Sequence, residues 1–314
     1  MELVKDFFQL SKKDVKIAGG KGASLGELIN KKNPVPPGFV VLANSFDKFI
    51  EETDLDIEIN AILKRAKCKE INSVEKASEE IRDLILGAEF PKNISQEIQK
   101  EFAKLKAKYV AVRSSATAED SSVASWAGEL ESYLNTSKEN LLENVKKCWA
   151  SLFTPRAIFY RFEKKLHKQK VSVAVVVQKM IQSEISGITF TVHPITQDKN
   201  QMIIEAGYGL GEAIVGGKIT PDAYVINKND KMILDKNISE QKMMIVRNKN
   251  GIKEIYVPKS KQIQQKLTDE QILELSQICI NIEKHYKKPQ DIEWAFEKRK
   301  FYIIQSRPIT TLQN

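Results

Sequence analysis

The last stretch of the chain admits few folds. Two runs rich in apolar and aromatic residues, Asp291-Ile292-Glu293-Trp294-Ala295 and Phe301-Tyr302-Ile303-Ile304-Gln305-Ser306-Arg307-Pro308-Ile309-Thr310, are separated by the charged residues Glu297, Lys298, Arg299 and Lys300. Such a pattern reads as two strands joined by an exposed turn, a hairpin. Side chains alternate faces along a strand, so Asp291 shares a face with Glu293 and Gln305 shares one with Arg307. Whether the two faces coincide depends on register. A three-residue loop, Lys298 to Lys300, sets Glu293 opposite Gln305 and Asp291 opposite Arg307; a four-residue loop sends them to opposite sides. Two readings of a shared face stand. Its carboxylates and amide oxygen offer hard ligands for Mg²⁺ and its guanidinium a fork for phosphate, or the residues form a cross-strand ion pair on a solvated edge.

The rest of the chain bounds the class of protein. Its 314 residues, 42% of them hydrophobic, can bury one large or two modest cores. The net charge of +8 comes from lysine, since only eight of the 49 basic residues are arginine. The lysines look scattered, without the arginine-rich and aromatic stripe of a nucleic-acid binder, so no nucleic-acid partner is expected. Cys68, Cys148 and Cys279 are odd in number and lack a CxxC pair, which speaks against a disulfide framework or zinc site and suits a reducing cytoplasm. No apolar run approaches the ~20 residues of a membrane span, so no membrane partner is expected.

Three regions follow from the patterning. Residues 1 to about 108 carry a glycine-rich turn at Gly19-Gly20-Lys21-Gly22, a proline turn at Pro34 to Gly38, and amphipathic helices between Ser45 and Lys108, one started or broken by Pro91. Residues 109–181 read as a strand from Tyr109 to Arg113, a polar loop, helices through Trp149 and Tyr160, and a buried strand over 171–177. Residues 182–314 are β-rich, with strands near 187–192, 201–206 and 223–227, then a helix from Thr268 whose Gln271 completes a capping box.

Several strings admit a phosphate reading and a plain one. The glycine-rich turn with Lys21 runs into a helix whose N–H groups suit phosphate, although its spacing is not that of a Walker A loop; a simple helix start is the alternative. Arg113 followed by Ser114, Ser115 and Thr117 reads as a strand end opening into a phosphate-binding loop, or as an ordinary polar loop. Gly128, between Trp126 and Tyr133, could admit close backbone approach to a ligand. Gly207-Tyr208-Gly209-Leu210-Gly211 fails as a dinucleotide fingerprint because Glu212 stands where the third glycine belongs, yet Glu205 and Glu212 could lie near a nucleotide. His167, His193 and His285 lack a nucleophile's or ligand's neighbours.

In order along the chain stand GGKGASLGEL, VPPGF, VRSSATAEDSS, WAGELESYLN, SLFTPRAIFYR, VVVQKM, SGITFT, GYGLGEAIVGG, TPDAYVI and DIEWAF…IIQSRPIT. This ordered set resembles the N-terminal nucleotide-binding domain of phosphoenolpyruvate synthase (pyruvate, water dikinase), and is similar to pyruvate, phosphate dikinase and rifampin phosphotransferase. The resemblance covers essentially the whole chain, 1–314. It implies an α+β chain of ATP-grasp fold, two lobes enclosing the nucleotide between mainly antiparallel sheets, with ATP and Mg²⁺ as cofactors. It further implies that Lys21 and Arg113 bind the triphosphate, that Gly128 and Ser132 line it, and that Gln178 and the backbone through Met180 meet the adenine. Glu293 and Gln305 resemble the family's Mg²⁺ ligands, Asp291 a supporting carboxylate, and Arg307 the arginine that stabilises charge on the transferring phosphates. Glu212 matches an acidic position of the family. Phosphoryl transfer rests on positioning and charge neutralisation, and this inventory suits it. The family's acceptor is a histidine in a Gly-Gly-rich stretch on a swivelling domain, which passes the phosphoryl group to pyruvate. None of the three histidines here has that context, so a partner domain or chain carrying the phosphohistidine is expected. His193 stands where the family commonly has Asn or Asp. The alternatives are a rifampin phosphotransferase-like module and a nucleotide-binding regulatory module without turnover.

Overall fold

The computed structural model describes residues 2–67, 69–117, 131–163, 172–248 and 251–310. The chain forms two compact units: Met1–Glu27 with Pro37–Met180, and Leu28–Pro36 with Ile181–Asn314.

The first unit is built on a five-stranded sheet in the order β1 (Val4–Asp6), β2 (Gly38–Val41), β5 (Val173–Lys179), β3 (Val110–Ala116), β4 (Ser132–Thr136), every neighbouring pair antiparallel. β5 lies at the centre, and its residues Val173 to Gln178 are all buried, which is why its sequence is a continuous apolar run. Helices α2 (Ala43–Glu52), α3 (Leu55–Arg65), α4 (Ile71–Gly87), α5 (Lys92–Lys104), α6 (Leu141–Ala150) and α7 (Pro155–Glu163) supply the rest of the core. In α5 the buried residues Ile94, Ile98 and Phe102 recur every four positions, so a single stripe faces inward. Pro91 stands at the N-cap of that helix, where its missing N–H costs nothing. Phe46, Phe49, Phe90 and Trp149 pack ring to ring at 4.9–6.0 Å between centroids.

The second unit holds a six-stranded antiparallel sheet in the order β13 (Lys300–Pro308), β12 (Gln290–Glu297), β6 (Ile185–Phe190), β7 (Gln201–Tyr208), β8 (Asp222–Asn227), β9 (Met232–Asn237). A separate hairpin pairs β10 (Met243–Asn248) with β11 (Gly251–Tyr256), and α8 (Glu212–Val215) is a single turn. Helix α9 (Asp269–Tyr286) begins at Thr268 with the expected reciprocal capping box to Gln271. Helices and antiparallel sheets together make an α+β chain. The strands β9 to β11 were not legible in the sequence, because β9 is exposed at all but one position and β11 at most of its positions, leaving little two-residue alternation. Among the described residues no helix is long and apolar enough to cross a membrane.

One buried ion pair holds the far side of this sheet. Asp222 and Lys266 have fully buried side chains with Nζ and Oδ1 2.7 Å apart. Asp222 also accepts from the backbone N–H of Ser239 at 3.0 Å and of Lys266 at 2.9 Å, and from the Tyr224 hydroxyl at 2.8 Å. Lys266 Nζ donates further to the Ser239 carbonyl at 2.5 Å. The pair is thus surrounded by hydrogen bonds that offset its desolvation, and removing one partner would strand the other. Asp222→Ala should lower the stability of this unit by about 3–5 kcal/mol, read as a fall in urea midpoint at unchanged slope.

Candidate functional site

The closing hairpin has the cross-strand pairs that one sequence reading required, but reaches them by another route. Its turn is two residues long, Lys298 and Arg299, closed by Glu297 opposite Lys300, not the three-residue loop considered from the sequence. Both turn residues have positive φ, 51° and 61°, the backbone that a two-residue hairpin turn of matching twist demands. The Lys298 N–H donates to the Glu184 carboxylate at 3.0 Å, anchoring the turn. Continued without interruption, this register would send Glu293 and Gln305 to opposite faces. A bulge intervenes: Trp294 pairs with Ile303 and Glu293 with Gln305, leaving Ile304 as the extra residue. Asp291 then lies opposite Arg307.

The same face continues across the sheet. Glu293 lies opposite Ile188 of β6, and Ile188 opposite Glu205 of β7. Arg307 donates from Nε at 2.9 Å and Nη2 at 2.7 Å to a single oxygen of Asp291, Oδ2, leaving Oδ1 outside the bridge. Burial raises the Asp291 carboxyl above its ordinary range; Arg307 opposes that and Glu293 adds to it. Burial and the nearby Asp291 raise Glu205 likewise. Burial together with a specific charged neighbour is the way carboxyls are tuned at functional sites, which makes this face a candidate. The opposite face, with Ile292, Thr189, Ile204 and Tyr224, is fully buried, and Cys279 of α9 lies beside Thr189. In the sequence Glu205 stands out only as a carboxylate near a glycine loop. Its real signal was the alternation in β7, where Met202, Ile204 and Ala206 are buried and Glu205 takes the other face.

In the first unit, Arg113 lies opposite Ser132 of β4 and Val176 of β5, and two residues along the same face Ala111 lies opposite Gln178. Arg113 is the fourth residue of a seven-residue strand, so the strand does not end there as the sequence suggested. The serines after it are structural. Ser114 Oγ donates to the Glu131 carbonyl at 2.9 Å and lies 3.0 Å from Ser151 Oγ, while Ser115 Oγ donates to the Ala18 carbonyl at 2.9 Å.

That last bond joins two motifs read separately. The glycine-rich string is not a turn before a helix but lies within α1 (Val15–Asn30), which breaks at Gly19 with φ 67° and ψ 172° and resumes. The Gly22 N–H donates to Ser115 Oγ at 3.3 Å. A Cβ at Gly19 would fall 2.3 Å from the Ser115 carbonyl oxygen, so both the backbone angle and the close approach require glycine. Lys21, half-buried, is thereby carried next to the strand of Arg113. Gln178 is buried at 2% exposure, and the N–H groups of Lys179 and Met180 donate to the carbonyls of Pro37 at 2.9 Å and Tyr109 at 3.1 Å. Gly128 lies outside the described residues. Lys21, Arg113, Ser132, Gln178 and Met180 belong to the first unit; Asp291, Glu293, Gln305 and Arg307 belong to the second.

The family described as "Pyruvate phosphate dikinase, AMP/ATP-binding domain" matches residues 15–314. A probable phosphoenolpyruvate synthase of Methanocaldococcus jannaschii is 46% identical over 321 residues, covering 100% of this chain and 27% of its own length. One of Archaeoglobus fulgidus is 47% identical over 97% of this chain and 41% of its own length. The rifampicin phosphotransferase of Bacillus subtilis is 39% identical over 99% of this chain and 36% of its own length. The chain therefore spans less than half the length of each of these relatives.

Replacing the turn by Lys298→Asn and Arg299→Gly should raise stability by about 1 kcal/mol, since both new residues accept positive φ, with urea unfolding as the measurement. Deleting Ile304 should remove the bulge yet leave Glu293 opposite Gln305 and Asp291 opposite Arg307, so NMR cross-strand contacts should show a regular hairpin with both pairs kept and nucleotide binding retained.

Proposed function

The chain belongs to the pyruvate phosphate dikinase AMP/ATP-binding domain family, and from that premise we propose that it is the nucleotide module of a phosphoenolpyruvate synthase-type phosphotransferase. The reading includes an ATP-grasp fold, whose two lobes enclose the nucleotide, and a cytoplasmic setting that suits the buried thiols Cys148 and Cys279. In the reaction, ATP and water give AMP, phosphate and a phosphohistidine on a separate domain or chain, from which the phosphoryl group passes to pyruvate. The pairing of Glu293 with Gln305 and of Asp291 with Arg307 on one sheet face carries this reading.

Each residue has a stated part. Lys21 and Arg113 hold the triphosphate, Ser132 and Gly128 line it, and Gln178 with Met180 receives the adenine. Since the N–H groups of Lys179 and Met180 are already engaged, adenine contact there falls to carbonyls and side chains. Arg307 neutralises charge on the transferring phosphates, and its bridge to one oxygen of Asp291 orients it for that task. Mg²⁺ fits the donor set. Glu293 and Gln305 would hold it and Asp291 would support it, all through hard oxygens; burial raises the carboxyl of Asp291, and Glu293 adds to that. Among the described residues no three His, Cys, Asp or Glu converge as a cage, and none is needed for an ion completed by phosphates and water. Bound there, Mg²⁺ would screen the phosphate charge.

The 39% identity to a rifampicin phosphotransferase over 99% of this chain favours a second reading, in which the final acceptor is the antibiotic. Supplying pyruvate and rifampicin in turn to the reconstituted system separates the two. MgATP should bind the chain by calorimetry, and AMP should form with a histidine-bearing partner. Arg307→Ala should slow AMP formation by roughly 10³-fold with little change in melting temperature. Unchanged AMP production would remove Arg307 from the site.

A further inference from the structure

A cavity of about 710 Å³ in the second unit contains none of the residues assigned above. It is lined by Lys199, Lys228, Lys231, Lys284, Lys287 and Lys288, and Glu283 is the acid among its lining residues. That acid is already matched: Lys228 Nζ donates to both Glu283 oxygens, at 2.9 and 2.7 Å, and to the Thr191 carbonyl at 2.6 Å. Among the described residues the other five ammonium groups have no carboxylate at ion-pair distance.

The helix end explains only part of this. Lys284, Lys287 and Lys288 sit in or just after the last turn of α9, where cations suit the dipole. Lys199 comes instead from the β6–β7 connection and Lys231 from the β8–β9 turn, at φ 54°. Like charges gathered around a concavity repel one another and are relieved by a multiply charged anion. Lysine presents compact charge with three donors, which suits phosphate oxygens without the planar selectivity of arginine. The volume falls in the range of small-ligand sites, roughly 300–1,000 Å³. We propose that this cavity is a second anion site that binds a small polyphosphate, separate from the triphosphate residues Lys21 and Arg113.

The test is calorimetric titration with metal-free inorganic pyrophosphate at about 150 mM salt, where exposed single charges are largely screened. It compares the intact chain, the variant Lys199→Ala/Lys231→Ala/Lys287→Ala, and Lys21→Ala. The expected result is binding retained in Lys21→Ala and weakened at least about tenfold in the triple variant, whose circular dichroism and melting temperature match the parent. Equal affinity in parent and triple variant overturns the proposal. So does loss in Lys21→Ala alone, since the anion would then be held by the nucleotide residues. A poly-glutamate peptide is the second probe, and binding as tight as that of pyrophosphate overturns the phosphate assignment in favour of an acidic protein partner. Failure of MgATP to bind would remove the function proposed above and leave this result untouched.

Discussion

The candidate site of the second unit depends on one residue, Ile304, being left out of the strand ladder. A two-residue turn gives the hairpin its tight closure and its twist, but in an uninterrupted ladder it would turn Gln305 and Arg307 away from Glu293 and Asp291. Ile304, inserted as a bulge, reverses the parity for every residue beyond it. The polar face exists because of that reversal. The neighbouring strands then add Glu205, through the register Glu293–Ile188–Glu205, and burial raises the carboxyls of Glu205 and Asp291. The other face of the same strands is spent on packing against α9, so a slip of one residue would bury carboxylates and expose isoleucines.

A comparable constraint governs the first unit. The glycine string around Lys21 and the strand of Arg113 are linked by Ser115, whose hydroxyl donates to Ala18 and accepts from Gly22 across the break at Gly19. Serines that look like phosphate ligands in the sequence are therefore the fastening between helix and sheet. Hydroxyl-rich strings are ambiguous for this reason, since a serine serves equally well as a backbone pin or as a ligand.

Charge distribution shows the same gap between string and fold. Along the chain the lysines look evenly spread, and no run announces a basic surface. Folding brings Lys199, Lys231 and the end of α9 around one cavity, from segments separated by several strands. Linear patterning detects charge that is close in sequence, whereas a potential depends on distance in space.

Local order was largely legible. The capping box of α9, the buried run of β5, the four-residue spacing of α5 and the existence of a closing hairpin follow from side-chain size, polarity and period, which act over a few residues. The ordered motifs were likewise sufficient to indicate the family. What only the tertiary structure decided was parity and partnership: that a bulge at Ile304 sets the shared face, that Gly19 breaks α1 against Ser115, that Arg113 lies mid-strand opposite Ser132, and that the strands β9 to β11 exist at all. These depend on pairings between residues far apart in sequence, and a ladder's register is chosen by the burial of both strands together, information that neither strand carries alone.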